Sequence, residues 1–200
     1  MVRRSADERR TEMLDATVAQ IVERGLADVR VDDVARACGV SRALVFYHFE
    51  TKERLVAQAF EHAAARDLEA IERAVAGAPT STAALARVLR HYGPTAGSPA
   101  WRLWIDAWAA AMHEPEIRAA SRGLDRKWKA VIARVIAEGV ASGQMRCDDP
   151  HAAAWRITAL VDGLTVQAQV NRHGPGRATR EQWVREAAAR EVGLDPAALT

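Results

Sequence analysis

Cysteine is almost missing from this 200-residue sequence: Cys38 and Cys147 stand far apart, neither with a paired neighbour. No disulfide framework and no CxxC metal or redox site is therefore encoded, and a reducing, cytoplasmic setting is expected. Long apolar runs are missing as well. No stretch approaches the roughly 18 residues of a membrane span. The opening residues, MVRRSADERRTEML, turn charged where a secretory leader needs an apolar centre. A chain without membrane association or processing is expected. Net charge is small too, since 28 Lys and Arg oppose 26 Asp and Glu to leave +2. The first 60 residues carry ten of each sign, so a polyanion could be recognised only through where charges sit. Finally, the six histidines are scattered, and no HExxH, GxSxG or Gly-rich phosphate loop occurs. No catalytic residue, no metal site and no cofactor is expected.

What the chain does contain is helical periodicity over an apolar content of 49%, enough to build a sizeable core. Ser5 and Glu8 have the spacing of a capping box, with Leu14, Val18, Ile21 and Val22 as the stripe behind it and Gly25 as the stop. Short helices over about 33–38 and 42–48 follow, split by CGVS, and then a long one with Thr51 as its cap. Further stripes are Leu85, Val88, Leu89 and Tyr92; Trp101, Trp104, Ile105, Trp108 and Met112; Trp128, Val131, Ile132, Val135 and Ile136; and Trp155, Ile157, Leu160, Val161 and Leu164. Thr179 and Gln182 suggest a last capping box ahead of Trp183. The expected fold is all-α with about nine helices and no strand.

One segment does not read as plain core: VDDVARACGVSRALVFYHFETKERL, residues 31–55. Ala35 is small where two short helices must cross, Gly39 stands where the turn needs a left-handed backbone, and Val34, Val40 and Val45 fill the angle. Ser41 can cap the second helix, which puts Arg42 and Ala43 on its first turn. That is a helix-turn-helix, whose second helix offers its amino-terminal residues to base edges in the major groove.

Together with FYHFETKERL, this segment closely resembles the amino-terminal domain of the tetracycline-repressor (TetR-like) family of bacterial regulators. The resemblance implies a three-helix DNA-binding domain over residues 1–54 and a helical ligand-binding and dimerisation domain over 55–200. It implies that Ser41, Arg42, Ala43 and Tyr47 face the groove while His48 and Lys52 hold phosphates. Residue chemistry supports the division: arginine can fork onto a guanine edge, and a lysine near a helix amino terminus adds a cation to outward-facing donors. Arg3 and Arg4, in the early basic cluster, are assigned to the same polyanion surface. Two positions depart from the family pattern. Phe46 stands where tyrosine is common and so lacks a phenol for phosphate. Arg30 replaces a small hydroxyl residue, removing a cap but offering a further phosphate contact.

For the larger half, the resemblance implies a homodimer whose last two long helices pair, as a palindromic DNA operator requires. Leu160, Leu164, Ala168, Trp183, Val184 and Ala187 are the interface candidates. Five of six tryptophans lie between 101 and 155. Trp104, Trp108, Trp128 and Trp155 are candidate walls of a small-molecule cavity, with Asp106 and Asp162 as polar anchors. Indole faces beside a carboxylate suit an organic cation. The segment VDGL around Asp162 indicates either a close helix approach at Gly163 or a pocket carboxylate. The run from WRLWIDAWAAAMHEPEIR to ALVDGL also resembles the carboxy-terminal half of choline-responsive repressors of betaine synthesis. The expected function is a repressor released from its operator by a small molecule; an architectural or activating DNA-binding protein without an inducer is the alternative.

Overall fold

The computed structural model describes residues 5–94, 99–171 and 174–200. Arg3 and Arg4 lie outside these, as do parts of the GPTAGSP and NRHGPGR loops. The described residues hold nine α-helices and a closing 3-10 turn: α1 (Ala6–Arg24), α2 (Val31–Cys38), α3 (Arg42–Phe49), α4 (Lys52–Ala76), α5 (Ser81–Tyr92), α6 (Pro99–Ala111), α7 (Pro115–Ala141), α8 (Pro150–Asn171), α9 (Arg177–Val192) and the turn Pro196–Leu199. No strand occurs among the described residues. They divide into two compact units, 5–66 with 99–124 and 67–94 with 125–200.

In the first unit α1 opens with the expected capping box. Ser5 Oγ accepts from the Glu8 amide at 3.1 Å while Glu8 returns an acceptor to the Ser5 amide at 2.7 Å, pairing two donors that a helix start leaves bare. Met13, Leu14 and Ile21 are buried below it. Helix α2 starts two residues earlier than the periodicity suggests. Its cap position, Arg30, makes no side-chain bond to the helix start, and Asp32 and Asp33 instead place negative charge on the first turn. Gly39 ends α2 at φ 64°, ψ 34°, a left-handed conformation that costs glycine little. Val34, Ala35 and Val45 close the angle, all at most 5% exposed.

Between α3 and α4 the chain turns at a single non-glycine residue. Glu50 has φ 65° and ψ −53°, and the Thr51 amide donates to the Phe49 carbonyl at 2.7 Å. This is a γ-turn of the rarer, strained sense. Thr51 then caps α4 by accepting from the Arg54 amide at 3.1 Å. Phe49 is 1% exposed, and the Arg10 guanidinium lies 5.3 Å from its ring centroid. In α6, Trp101 and Trp104 are buried as the stripe requires, but Met112 is exposed. The reason is that α6 ends at Ala111, where Arg118 donates to the Ala111 and Met112 carbonyls, each at 2.7 Å, a cation satisfying terminal acceptors.

The second unit buries Leu85, Val88, Ile132, Ile136, Ile157 and Val161 among the residues of its core. Arg156 on α8 forks onto Glu191 of α9 at 2.7 and 2.5 Å, fastening the two helices side by side. Helix α9 starts at Arg177 after Gly176, so Thr179 lies inside its first turn and caps nothing. The buried Arg180 fixes that start by donating to the Pro175 and Pro94 carbonyls at 2.6 and 3.3 Å. Gly163 has nothing within 4 Å of where a Cβ would lie; the close approach expected there is absent from the chain's own packing. At Gly139, by contrast, a Cβ would come within 2.5 Å of Met145 Sδ, and that side chain would have to shift to admit it.

Candidate nucleic-acid interface and ligand site

The first turn of α3 carries Arg42 and Ala43 outward, because Ser41 caps the helix by accepting from the Leu44 amide at 3.2 Å. Ser41, Arg42, Ala43 and Tyr47 are all exposed, Tyr47 at 80%. They follow one another along one side of a helix whose opposite side buries Val45 and Phe49. Arg42 is not alone there: its Nη1 donates to Asp32 Oδ2 at 2.8 Å, and its guanidinium lies 5.2 Å from the Phe46 centroid. His48 is half-buried with its ring edge-on to Tyr47 at 5.5 Å. Lys52 donates to the Ala27 carbonyl at 3.0 Å, which ties the start of α4 to the loop before α2. Arg30 is exposed, and its amide donates to Gln20 at 3.4 Å.

The candidate ligand residues fall in both units. In the first, Trp104 meets Phe60 edge-on at 4.9 Å and Trp108 at 5.8 Å, while Asp106 accepts from the Leu26 amide at 3.4 Å. Asp106 thus ties α6 to the α1–α2 loop. In the second, Asp162 accepts from the Tyr92 hydroxyl at 2.6 Å, and Trp128 packs at 5.0 Å from Tyr92 and 6.2 Å from His91. The Trp128 Nε1–H is buried without an acceptor. Burial pushes the Asp162 carboxyl up from 3.8 to about 6, with Asp125 adding to it against the Tyr92 bond and the Lys129 charge. Burial and the same carboxylate hold the Tyr92 phenol well above 10, so Tyr92 remains a donor. Trp155 is 60% exposed. Its ring already has a cation, since Lys129 Nζ lies 3.6 Å from the centroid and is also paired with Asp125.

Sequence reading missed Tyr92 and Asp32 as partners. Tyr92 reads as stripe, and only the fold brings it across 70 positions to Asp162. Among the interface candidates, Leu160, Leu164, Ala168 and Ala187 are half-buried and Trp183 is 43% exposed, whereas Val184 is 2% exposed. Val184 also lines a separate cavity of about 300 Å³ between α5, α9 and the closing turn, with Leu89, Arg90, Arg185 and Leu199. No helix among the described residues is long and apolar enough to cross a membrane.

Comparison with known proteins bears on both halves. Residues 13–59 match the family of bacterial regulatory proteins, tetR family, and residues 79–193 match that of the BetI-type transcriptional repressor, C-terminal. The HTH-type transcriptional regulator BetI of Cronobacter sakazakii is 28% identical over 167 residues, covering 82% of this chain and 80% of that protein. Its counterpart in Burkholderia mallei is 29% identical over 160 residues, covering 78% and 79%. A crystal structure described as a transcriptional regulator from Saccharomonospora viridis, in complex with choline, superposes with TM-score 0.81 at 25% identity, covering 93% of this chain and 98% of that one. A TetR transcription regulator from Haloarcula marismortui shares the fold, with TM-score 0.82 at 20% identity over 93% and 99%. A helix-turn-helix with an outward arginine, followed by a helical half matched over more than half of the chain, leads to one assignment: the protein belongs to the tetR family of bacterial regulatory proteins, as a transcriptional repressor of the BetI type.

Proposed function

We propose that the protein is a cytoplasmic, homodimeric repressor that grips a palindromic operator and lets go when an organic cation binds near Asp162. Residues 1–54 read DNA and residues 55–200 bind ligand and pair the chains. Arg42 and Tyr47 contact bases; His48, Lys52 and Arg30 contact the backbone, which positions without specifying. No catalytic step is involved. The observation that carries the ligand reading is the half-buried Asp162 carboxylate held by Tyr92 beside the Trp128 face. A quaternary ammonium gains there from the ring quadrupole and from a carboxylate that burial has left costly to ionise. The Trp128 ring N–H, buried without an acceptor, would bond an oxygen on the same ligand. The likeness to a regulator solved with choline supports this class of ligand.

Pairing rests on α8 and α9, where Leu160, Leu164 and Ala168 recur every fourth residue and Trp183 leaves its ring partly bare. The ligand acts only through unequal affinity for the DNA-competent and released states. Titration with choline chloride tests the proposal, read by tryptophan fluorescence and by release from an operator selected from random duplexes. Saturable quenching with DNA release is expected for the wild type and its loss for Asp162→Asn; equal titrations by the two proteins would refute the site.

A further inference from the structure

Asp32 has no place in the reading surface as described, yet it holds the residue on which that surface depends. Its carboxylate sits on the first turn of α2 and accepts from Arg42 Nη1 at 2.8 Å. Neighbouring Asp33 is engaged elsewhere, accepting from Arg24 at 3.0 Å and Arg36 at 2.8 Å, so the two adjacent acids are not interchangeable. One helical turn beyond Arg42, the Phe46 ring lies 5.2 Å from the guanidinium carbon. The guanidinium is therefore fixed at one edge and supported across its face.

We propose that Asp32 and Phe46 are positioning residues that pre-set Arg42 for a guanine edge. This rests on the reading of Arg42 as a base contact. A guanidinium carries five N–H donors in a rigid fork. With one Nη1–H committed to Asp32, the Nε–Nη2 edge keeps the parallel pair that guanine O6 and N7 accept. Asp32 can stay bound while that edge is used. It also sets a negative charge near the phosphates, which lowers affinity for every duplex alike. Phe46 replaces a phenol with a bare ring, and the ring's function is then to support the cation instead of bonding phosphate.

Of the two contributions, only the ordering of Arg42 bears on discrimination, because the charge acts on every duplex alike. Without Asp32, Arg42 must be ordered when DNA arrives. Immobilising such a side chain costs enough to weaken a selected duplex about three- to tenfold. The lost negative charge strengthens selected and scrambled duplexes alike, by up to about fivefold at roughly 0.15 M salt, and leaves their ratio unchanged. The exposed pair, with side chains 58% and 57% exposed, contributes little to folding, so the variant remains testable.

The experiment uses the full chain, a duplex enriched by the wild type from a random library, and a scrambled duplex of equal composition. Asp32→Asn is measured alone and in an Arg42→Ala background, with Phe46→Leu and Phe46→Tyr alongside. A fall in the selected-to-scrambled ratio for Asp32→Asn that vanishes in the Arg42→Ala background is expected, as is a similar fall for Phe46→Leu with recovery in Phe46→Tyr. An unchanged ratio for Asp32→Asn while Arg42→Ala loses discrimination overturns the proposal alone. So does an Asp32→Asn effect that persists without Arg42. If Arg42→Ala leaves discrimination intact, the reading of α3 falls and the proposal falls with it.

Discussion

Replacing Asp162 with asparagine should make the protein more stable and less able to sense its ligand. In the folded chain burial makes the charge costly and pushes the carboxyl up to about 6, against 3.8 as its ordinary value. Between those values the folded state binds more protons than the unfolded one, so the contribution of the carboxyl is whole below 3.8 and is lost as pH rises through 6. The interval converts to about 3 kcal/mol of stability forgone at pH 7.5, and to only about 0.5 kcal/mol at pH 4. Asparagine keeps an oxygen to accept from Tyr92 and carries no charge to desolvate. Urea denaturation of both proteins from pH 4 to 7.5 should show Asp162→Asn pulling ahead by that amount, most of it gained between pH 4 and 6. Choline chloride titrated in parallel should bind the wild type about tenfold more weakly per pH unit below 6, because the cation needs the ionised form, and should fail to bind the variant. A stability difference that is flat with pH, or reversed in sign, would refute the account of why the carboxyl is there.

Arg42→Ala should cost about 1–3 kcal/mol on a selected operator and relax base preference, while Lys52→Ala should weaken all duplexes alike and lower the salt slope by about one; mobility-shift titrations over a salt series separate the two. Trp183→Lys, placing charge on the proposed pairing surface, should shift micromolar protein from dimer to monomer in sedimentation, since a single aromatic anchor can account for about 2 kcal/mol or more of association. Gly139→Ala should displace the buried Met145 side chain, whose Sδ would lie 2.5 Å from the new Cβ, and lower thermal stability by no more than about 2 kcal/mol, because the helix interior gains about 1 kcal/mol from alanine. Glu50→Gly should do the opposite and stabilise by about 1 kcal/mol, relieving the backbone at φ 65°.

The helices were legible because their signals are local. Ser5 with Glu8, Ser41, Thr51 and Gly39 each act within four residues, and each cap or stop formed where its chemistry indicates. Errors arose where a distant partner prevailed over a local cue: Thr179 is a fair cap by spacing, but the buried Arg180 draws the start of α9 toward Pro175. Met112 fits a stripe, but Arg118 ends the helix before it. Aspartates were the least legible residues. Asp106, Asp125 and Asp162 look alike in sequence, yet one accepts from a loop amide, one pairs with Lys129 and one is held by a tyrosine. Tryptophan identity likewise raised the expectation of a binding surface without saying which ring was already engaged, and only the fold sets Lys129 against Trp155.

The turn at Glu50 leaves no slack between α3 and α4. A connection of several residues would absorb a rotation of α4 in its own torsions. Here one residue, already away from its backbone minimum and bonded on both sides through the Glu50 and Thr51 amides, has almost nothing left to give. A roll or slide of the amino-terminal end of α4 must then be handed to α3, the helix proposed to read DNA, as a change of aim, like a wrench turning a bolt. Glu50→Gly would loosen that grip, and the more stable variant should be the one whose DNA binding answers less sharply to its effector.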